Sequence, residues 1–201
     1  PDYRSSQMTE GRKAHKISVQ HHYAHALACM ADNNVQAPCM AVTWDGTGLG
    51  TDHSIWGGEF LQITPQSYER ALSLKPFPLP GGEAAIRDPK RAALGVLYAL
   101  SESQQFHRLN MPDEAIQLIT QALQRQINCP PCSSAGRLFD AIAALMGIAM
   151  KNTFEGQAAM ALEFAADSKI TEAYDFSIQD SVIDWRPMVQ TILSDLDQGS
   201  A

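Results

Sequence analysis

Long apolar stretches are missing from this chain. No run in its 201 residues approaches the ~18 apolar residues that a helical membrane span needs, so a membrane role through such a helix is excluded. The opening Pro1-Asp2-Tyr3-Arg4 leads into a polar segment with no apolar core, so no signal peptide is expected in it. Starting on Pro1 rather than Met, the chain reads as a piece of something longer or a processed product. Cysteine is scarce: Cys29, Cys39, Cys129 and Cys132 are too few for a disulfide scaffold. With no export signal, the expected compartment is the reducing cytoplasm. Positive charge is also short, with 15 Lys and Arg against 22 Asp and Glu and a net charge of −7. That argues against bulk nucleic-acid binding, which needs a cationic surplus to displace counterions. Hydrophobic residues at 45% and charged residues at 18% exclude a wholly disordered chain. The length suits one domain or two small ones with a core of their own.

Cys129-Pro130-Pro131-Cys132 is a lone C-x-x-C. A structural zinc site needs two more ligands at suitable spacing, and a thioredoxin-type pair needs a strand before it and a helix after it. Here a helical stretch precedes it, so the pair is read as incidental. Around it, the pattern predicts a helix over Ser18 to Asp32, then a short strand Cys39 to Trp44 buried on both faces. A glycine-rich turn, Asp45-Gly46-Thr47-Gly48-Leu49-Gly50, follows. Ser54 to Ile63 reads as a second strand, in which Gly57-Gly58 marks a bulge or a close backbone approach. Tyr68 to Leu74 is a third strand. The proline-rich Lys75 to Gly82 is an ordered loop. Helices are expected over Ala92–Ser101, Asp113–Gln126, Gly136–Ile148, Glu155–Ala166 and Asp184–Leu196, the last with Pro187 in its first turn. Thr171 to Ile178 reads as a further strand. Trp44, Trp56 and Phe60 are expected in the core, and the methionines as core filler. Strands first and helices later suggest an α/β sheet with a helical portion. No internal repeat is present.

Four stretches carry chemistry. In Val19-Gln20-His21-His22-Tyr23-Ala24-His25, a helix places His21 and His25 one turn apart on one face, where both imidazoles reach a single transition-metal ion at ~2.1 Å. No Glu follows the first His, so this is not the metalloprotease H-E-x-x-H, and a carboxylate from elsewhere must complete the shell. A partly exposed His cluster with no metal is the competing reading. In Asp45 to Gly50, glycines let backbone N–H groups turn toward an anion while the carboxylate holds a cation, although a plain hairpin turn has the same residues. Pro80 to Arg91 sets Arg87 and Arg91 near a helix start, as an anion site or as a capped helix with surface ion pairs. In Ser133 to Ile142 the serines cap a helix, and Asp140 either faces a ligand from the side of Gly136 or is an exposed helix residue.

In this order, VQHHYAH, WDGTGLGTD, IWGGEFL, KPFPLPGGEAAIRDPKRAAL, SSAGRLFDAIAALMGI and FEGQAAMALE resemble the HypF carbamoyltransferases of [NiFe] hydrogenase maturation, over roughly residues 19 to 166. The resemblance implies part of their C-terminal module, which is similar to tRNA threonylcarbamoyl-transfer proteins and sugar O-carbamoyltransferases. It implies an actin/sugar-kinase/Hsp70-like (ribonuclease H-like) α/β lobe with an inserted helical subdomain and a truncated second lobe. On that reading residues 1–85 form the α/β lobe with the metal and phosphate-loop motifs, and 86–201 form a mainly helical portion leading into the incomplete second lobe. It implies transfer of a carbamoyl group from carbamoyl-adenylate, made from carbamoyl phosphate and ATP, to the C-terminal cysteine of HypE, where it becomes the cyanide ligand of the iron. It further implies a divalent metal (Zn or Fe) on His21, His25 and Asp45, with Mg accompanying ATP. Asp45 and His22 would be catalytic. Gly46, Thr47, Gly48, Asp140 and Gly147 would bind the nucleotide. The phrases WGGEF and PFPLPGG favour HypF over a sugar O-carbamoyltransferase or a tRNA-modifying relative, and the acidic charge counts against tRNA. A non-catalytic nucleotide-binding fragment is the reading from a different class.

Overall fold

A computed structural model describes residues 7–9, 12, 13 and 15–199. The first long helix, α1, is His21–Asp32. It begins three residues later than the periodicity predicts because Gln20 is extended (φ −63°, ψ 139°) and acts as the cap, its side-chain oxygen accepting the Tyr23 N–H. Ala26 buries against Leu61 and Ile63, and the Tyr23 ring stacks on Tyr68 at 4.5 Å between centroids. This small cluster holds α1 against the sheet.

Strand β1 is Cys39–Leu49, β2 is Ile55–Ile63 and β3 is Tyr68–Leu74, three consecutive antiparallel strands. The expected glycine-rich turn is instead a continuation of β1. The chain stays extended through Asp45 to Leu49, and the ladder with β2 shifts register between Trp44 and Gly48. The turn is pushed to Gly50–Ser54. Gly57 and Gly58 mark a close backbone approach: a Cβ there would lie 2.4 Å from the Asp45 and Ser133 carbonyl oxygens respectively. Burial of β1 on both faces is not found. Met40, Val42 and Trp44 are more than half exposed, because among the described residues β1 has only β2 as a strand neighbour. Trp44 therefore lies outside the core, whereas Trp56 is within it.

Part of the proline-rich loop is ladder. Strand β4, Phe77–Pro78, pairs with β5, Pro131–Cys132, and β5 runs parallel to β2 with Cys132 opposite Ile55. The C-x-x-C thus ends in a strand residue. Cys132 is fully buried, burial pushes its thiol up to about 12, and all four cysteines are free. Such a thiol is inert as a nucleophile. Then come α2 (Ala84–Arg87), α3 (Pro89–Leu100), a 3-10 helix Ser103–Leu109, α4 (Asp113–Gln124), α5 (Ala135–Leu145) and α6 (Gln157–Ala165). Of the strand expected over Thr171 to Ile178 only β6, Ser177–Gln179, forms its end. Its partner β7, Val182–Asp184, has no periodic signature because it is only three residues long. α7, Arg186–Gln198, closes the order with Pro187 in its first turn. The sheet runs β4-β5-β2-β3-β7-β6, with β1 on β2.

The main core lies between this sheet and α3, α5 and α7. Leu94, Val96 and Leu97 meet Leu138, Ala141 and Leu145, and Phe77 meets Trp185 edge to face at 5.8 Å. The Trp185 indole N–H donates to the Lys75 carbonyl at 2.6 Å. Gly95 lets α3 lie against the proline loop, since a Cβ there would stand 2.0 Å from the Pro78 carbonyl oxygen. In a free helix Gly→Ala stabilises by about 1 kcal/mol. Here Gly95→Ala is expected to destabilise instead, by about 2 kcal/mol or more because backbone must move. Urea unfolding of the two proteins checks the sign; a rise in midpoint would contradict this packing.

Candidate functional site

Helix α1 packs against strand β1, and their meeting point holds the histidines. His21 Nε2 lies 2.7 Å from Asp45 Oδ2, His25 Nε2 lies 3.2 Å from His21 Nε2, and His25 Nε2 lies 4.0 Å from Asp45 Oδ2. The two rings sit edge to face, as the helical spacing predicts. The other Asp45 oxygen accepts its neighbour's Gly46 N–H at 2.6 Å, which fixes the carboxylate and turns Oδ2 toward the helix. Two imidazole nitrogens and a carboxylate oxygen at these separations fit one transition-metal ion at about 2.1 Å from each; the donor set suits Zn or Fe. His25 is exposed and His21 partly so, leaving the open side of the triad toward solvent.

His22 is fully buried between the helix and Gly48 of β1. Its ring lies against Trp56, and its Nε2 comes within 3.9 Å of Asp45 Oδ2 without a hydrogen-bond partner. Gly48 makes room for it: a Cβ there would fall 2.4 Å from His22 Cε1 and 2.6 Å from His21 Cδ2. Gly48 is therefore a packing requirement of the histidine cluster. Gly46 faces the opposite side, where a Cβ would approach the Arg137 guanidinium at 3.5 Å and the Glu155 carboxylate at 3.8 Å. Thr47, between them, is half-buried.

The start of α5 clamps this strand from behind. The Ser134 hydroxyl donates toward the Asp45 and Gly46 carbonyls, at 2.6 and 2.7 Å, while its oxygen accepts the Arg137 N–H as the helix cap. Gly136 permits the approach, since a Cβ there would be 2.8 Å from Gly46 Cα. Reading the serines as caps found the local half of this arrangement. The half that holds Asp45 depends on two residues 89 positions apart and leaves no local signal. Asp140 is neither open to the histidine cluster nor an exposed helix residue. It is buried with Arg137, whose Nη1 stands 2.9 Å away in an ion pair not aligned for a hydrogen bond, and Asn152 donates to it at 3.0 Å. Burial, partly offset by Arg137, raises the Asp140 carboxyl above its ordinary range. Gly147 ends the turn after α5 with φ +73°. At the start of α3, Lys90 and Arg91 lie beside Asp88 at 3.9 and 3.7 Å, and Arg87 is exposed, which matches the capped helix with ion pairs.

A second buried network stiffens β2. The Glu59 carboxylate accepts from the Gly57 N–H, the Arg70 guanidinium at 2.6 Å and the Ser133 hydroxyl at 2.6 Å. Arg70 also lies over the Trp56 ring at 4.1 Å. No sequence pattern pointed to Glu59. A charged residue inside a strand with its cation on the next strand becomes visible only once the register is known.

The burial of His22 makes stability depend on pH. Desolvation first, then the charge of His21, lower its pKa to about 4; Glu59 and Asp45 raise it by less, and His25 lowers it least. The unfolded chain binds a proton near pH 6.5 that the folded chain refuses until about pH 4. Stability from this group is thus complete above pH 6.5 and falls through that window, by about 3 kcal/mol at most. Urea unfolding of metal-free protein at pH 7.5 and 4.5 is expected to lose this increment, and His22→Gln to lose less; parallel profiles for the two proteins would contradict the burial.

Comparison with known proteins identifies the family and the fold. Residues 41–201 match the model of the carbamoyltransferase, Kae1-like domain, second subdomain, and residues 1–32 match the HypF Kae1-like domain. A carbamoyltransferase HypF homolog of Cupriavidus necator is 36% identical over 215 residues, covering 100% of this chain and 55% of the relative. The Synechocystis carbamoyltransferase HypF is 38% identical, covering 97% and 28%. Full-length HypF crystallised with phosphate and nucleotide superposes at a TM-score of 0.90 with 38% identity, over 98% of this chain and 32% of that one. HypF of T. kodakarensis superposes at 0.84 with 31% identity, over 96% and 27%. The chain therefore spans from about a quarter to about half of the length of these relatives. The fold is the actin-like α/β architecture that the motifs implied. With an ordered family match from residue 41 to the last residue, on a backbone that superposes almost throughout, this chain belongs to the carbamoyltransferase Kae1-like domain family of the HypF proteins.

Proposed function

We propose that this chain is the acceptor-facing part of a carbamoyltransferase. It moves a carbamoyl group from carbamoyl-adenylate, formed from carbamoyl phosphate and ATP, to the C-terminal cysteine thiolate of HypE. The observation that carries the reading is the triad of His21, His25 and Asp45, whose donor atoms converge within 4.0 Å in a chain of this family. In the transfer the thiolate sulfur bonds to the carbamoyl carbon, and the bond from that carbon to the phosphate oxygen breaks. AMP leaves with the electron pair.

The three donors would hold a divalent ion, and when bound it supplies Lewis acidity toward carbonyl or phosphate oxygens. The chain's own residues do the rest. Asp45 is fixed by the Gly46 N–H and by Ser134 behind it, so Oδ2 stays in place as a ligand. The leaving phosphate would sit beside the Gly46-Thr47-Gly48 segment, whose glycines let the histidine rings and the start of α5 close on the strand that carries Asp45. Cys132 is buried and its thiol is raised, so it does not compete with the incoming thiolate. The buried Asp140–Arg137 pair and Gly147 lie along and just after α5, the side on which we place the nucleoside. The deficit of basic residues disfavours tRNA as the acceptor, and no described helix is long and apolar enough to cross a membrane.

Placed in a full-length protein carrying this chain, His21→Ala is expected to lower carbamoylation of a HypE C-terminal peptide by at least ~10²-fold, since outer-shell partners alone reach that size. Mass spectrometry of the peptide reads the added carbamoyl group. Labelling at the unmodified rate would end this reading of the triad. Asp45→Asn should act in the same direction and also halve or abolish bound Zn or Fe, measured by metal analysis after dialysis.

A further inference from the structure

Two overlapping triads share His21 and Asp45. One adds His25 and the other adds His22, and the donor atoms of His21, His22 and Asp45 also lie within 4.8 Å of one another. Distance alone does not choose between them. The protonation of the His22 ring does, and Gln20 sets it.

The Gln20 side chain is held at both ends. Its oxygen accepts the Tyr23 N–H at 2.9 Å, and its nitrogen donates to the Leu49 carbonyl at 3.2 Å. Turning the amide over would face oxygen to oxygen at Leu49 and N–H to N–H at Tyr23, so one orientation is fixed. The same amide nitrogen lies 3.2 Å from His22 Nδ1. A donor there requires Nδ1 to be an acceptor, with its lone pair toward Gln20. The ring proton of a neutral imidazole then sits on Nε2. A protonated Nε2 has no lone pair for a metal. It is also the buried atom that lacks a hydrogen-bond partner, 3.9 Å from Asp45 Oδ2. Glu59 and Asp45 are the acidic groups nearest this ring and His21 and His25 the basic ones. None of them lies within hydrogen-bond distance of Nε2 among the described residues.

We propose that His22 is a hydrogen-bond donor to an oxygen of the carbamoyl-bearing ligand rather than a metal ligand, and that Gln20 is the positioning residue that fixes this tautomer. The donor N–H would meet carbonyl or phosphate oxygen next to the metal-binding face of His21, His25 and Asp45. The inference rests on the metal and substrate reading above for its ligand, while the tautomer stands on this chain alone. It also explains why two adjacent histidines on one helix differ so sharply in exposure: one coordinates from the surface, the other donates from the interior.

Two measurements decide it. In metal-free protein labelled with 15N-histidine, long-range proton–nitrogen correlation at pH 7.5, assigned with His22→Gln, is expected to show His22 with the proton on Nε2. Gln20→Glu, whose carboxylate accepts rather than donates, is expected to move that proton to Nδ1. A wild-type ring protonated at Nδ1, or at both nitrogens, overturns the proposal. In cobalt titrations, His22→Gln is expected to weaken binding by less than about threefold, and His25→Gln by more than ~100-fold, beyond the range of outer-shell partners. The opposite ranking overturns the proposal and makes His22 the third ligand. Failure of the wild-type protein to bind cobalt at all would count against the metal reading, and the tautomer spectrum would still decide His22.

Discussion

Everything at this site depends on one contact between elements that are distant in sequence: a helix-borne imidazole meeting a strand-borne carboxylate. His21 and Asp45 are 24 residues apart and 2.7 Å from each other. In water such a pair is worth little, because two flexible side chains must be ordered against screening solvent. Here neither side chain is left to find the other. Gln20 fixes where α1 begins, and the Ala26, Leu61 and Ile63 cluster fixes where the helix lies. Ser134 and the Gly46 N–H fix the strand and its carboxylate. The pair is preorganised, so a ligand shared between its members does not have to order them first.

Glycine is the second device. β1 continues through a segment rich in glycine, which in most hairpins would be a turn. The segment is extended because it is squeezed from two sides: the histidine rings stand where a Gly48 side chain would be, and the start of α5 stands where a Gly46 or Gly136 side chain would be. The glycines thus serve close approach on both faces of one strand. That double packing fixes the strand under Asp45, so the carboxylate beside the histidines has one position.

The polar interior follows the same plan. Glu59 with Arg70 and Ser133 braces β2 against β3 and β5, and Arg137 with Asp140 and Asn152 braces α5. Buried charges of this kind stabilise weakly on balance, since desolvation offsets their attraction. They do, however, penalise any register that separates them, and both networks abut the strands that carry the site. Cys132 and Trp185 close the apolar side of the same framework.

The sequence by itself determined the pieces of this arrangement. The four-residue spacing of His21 and His25, the first three strands, the close approach at Gly57 and Gly58, and the helices after the proline loop follow from local periodicity and from what glycine and proline allow. The ordered motifs were sufficient to point to the HypF family. Tertiary structure alone decided that the glycine segment is strand and not turn, that Trp44 is exposed, that Asp140 is buried with Arg137, and that Gln20 faces His22. Arg137 and Asp140 are three apart on one helix, and Gln20 and His22 two apart, yet what buries the first pair and turns Gln20 is the packing around them, including the Leu49 carbonyl 29 residues on. The glycine segment is held extended by histidine rings and a helix start that are just as remote in the chain. No local pattern of polarity records which group stands opposite across such a gap.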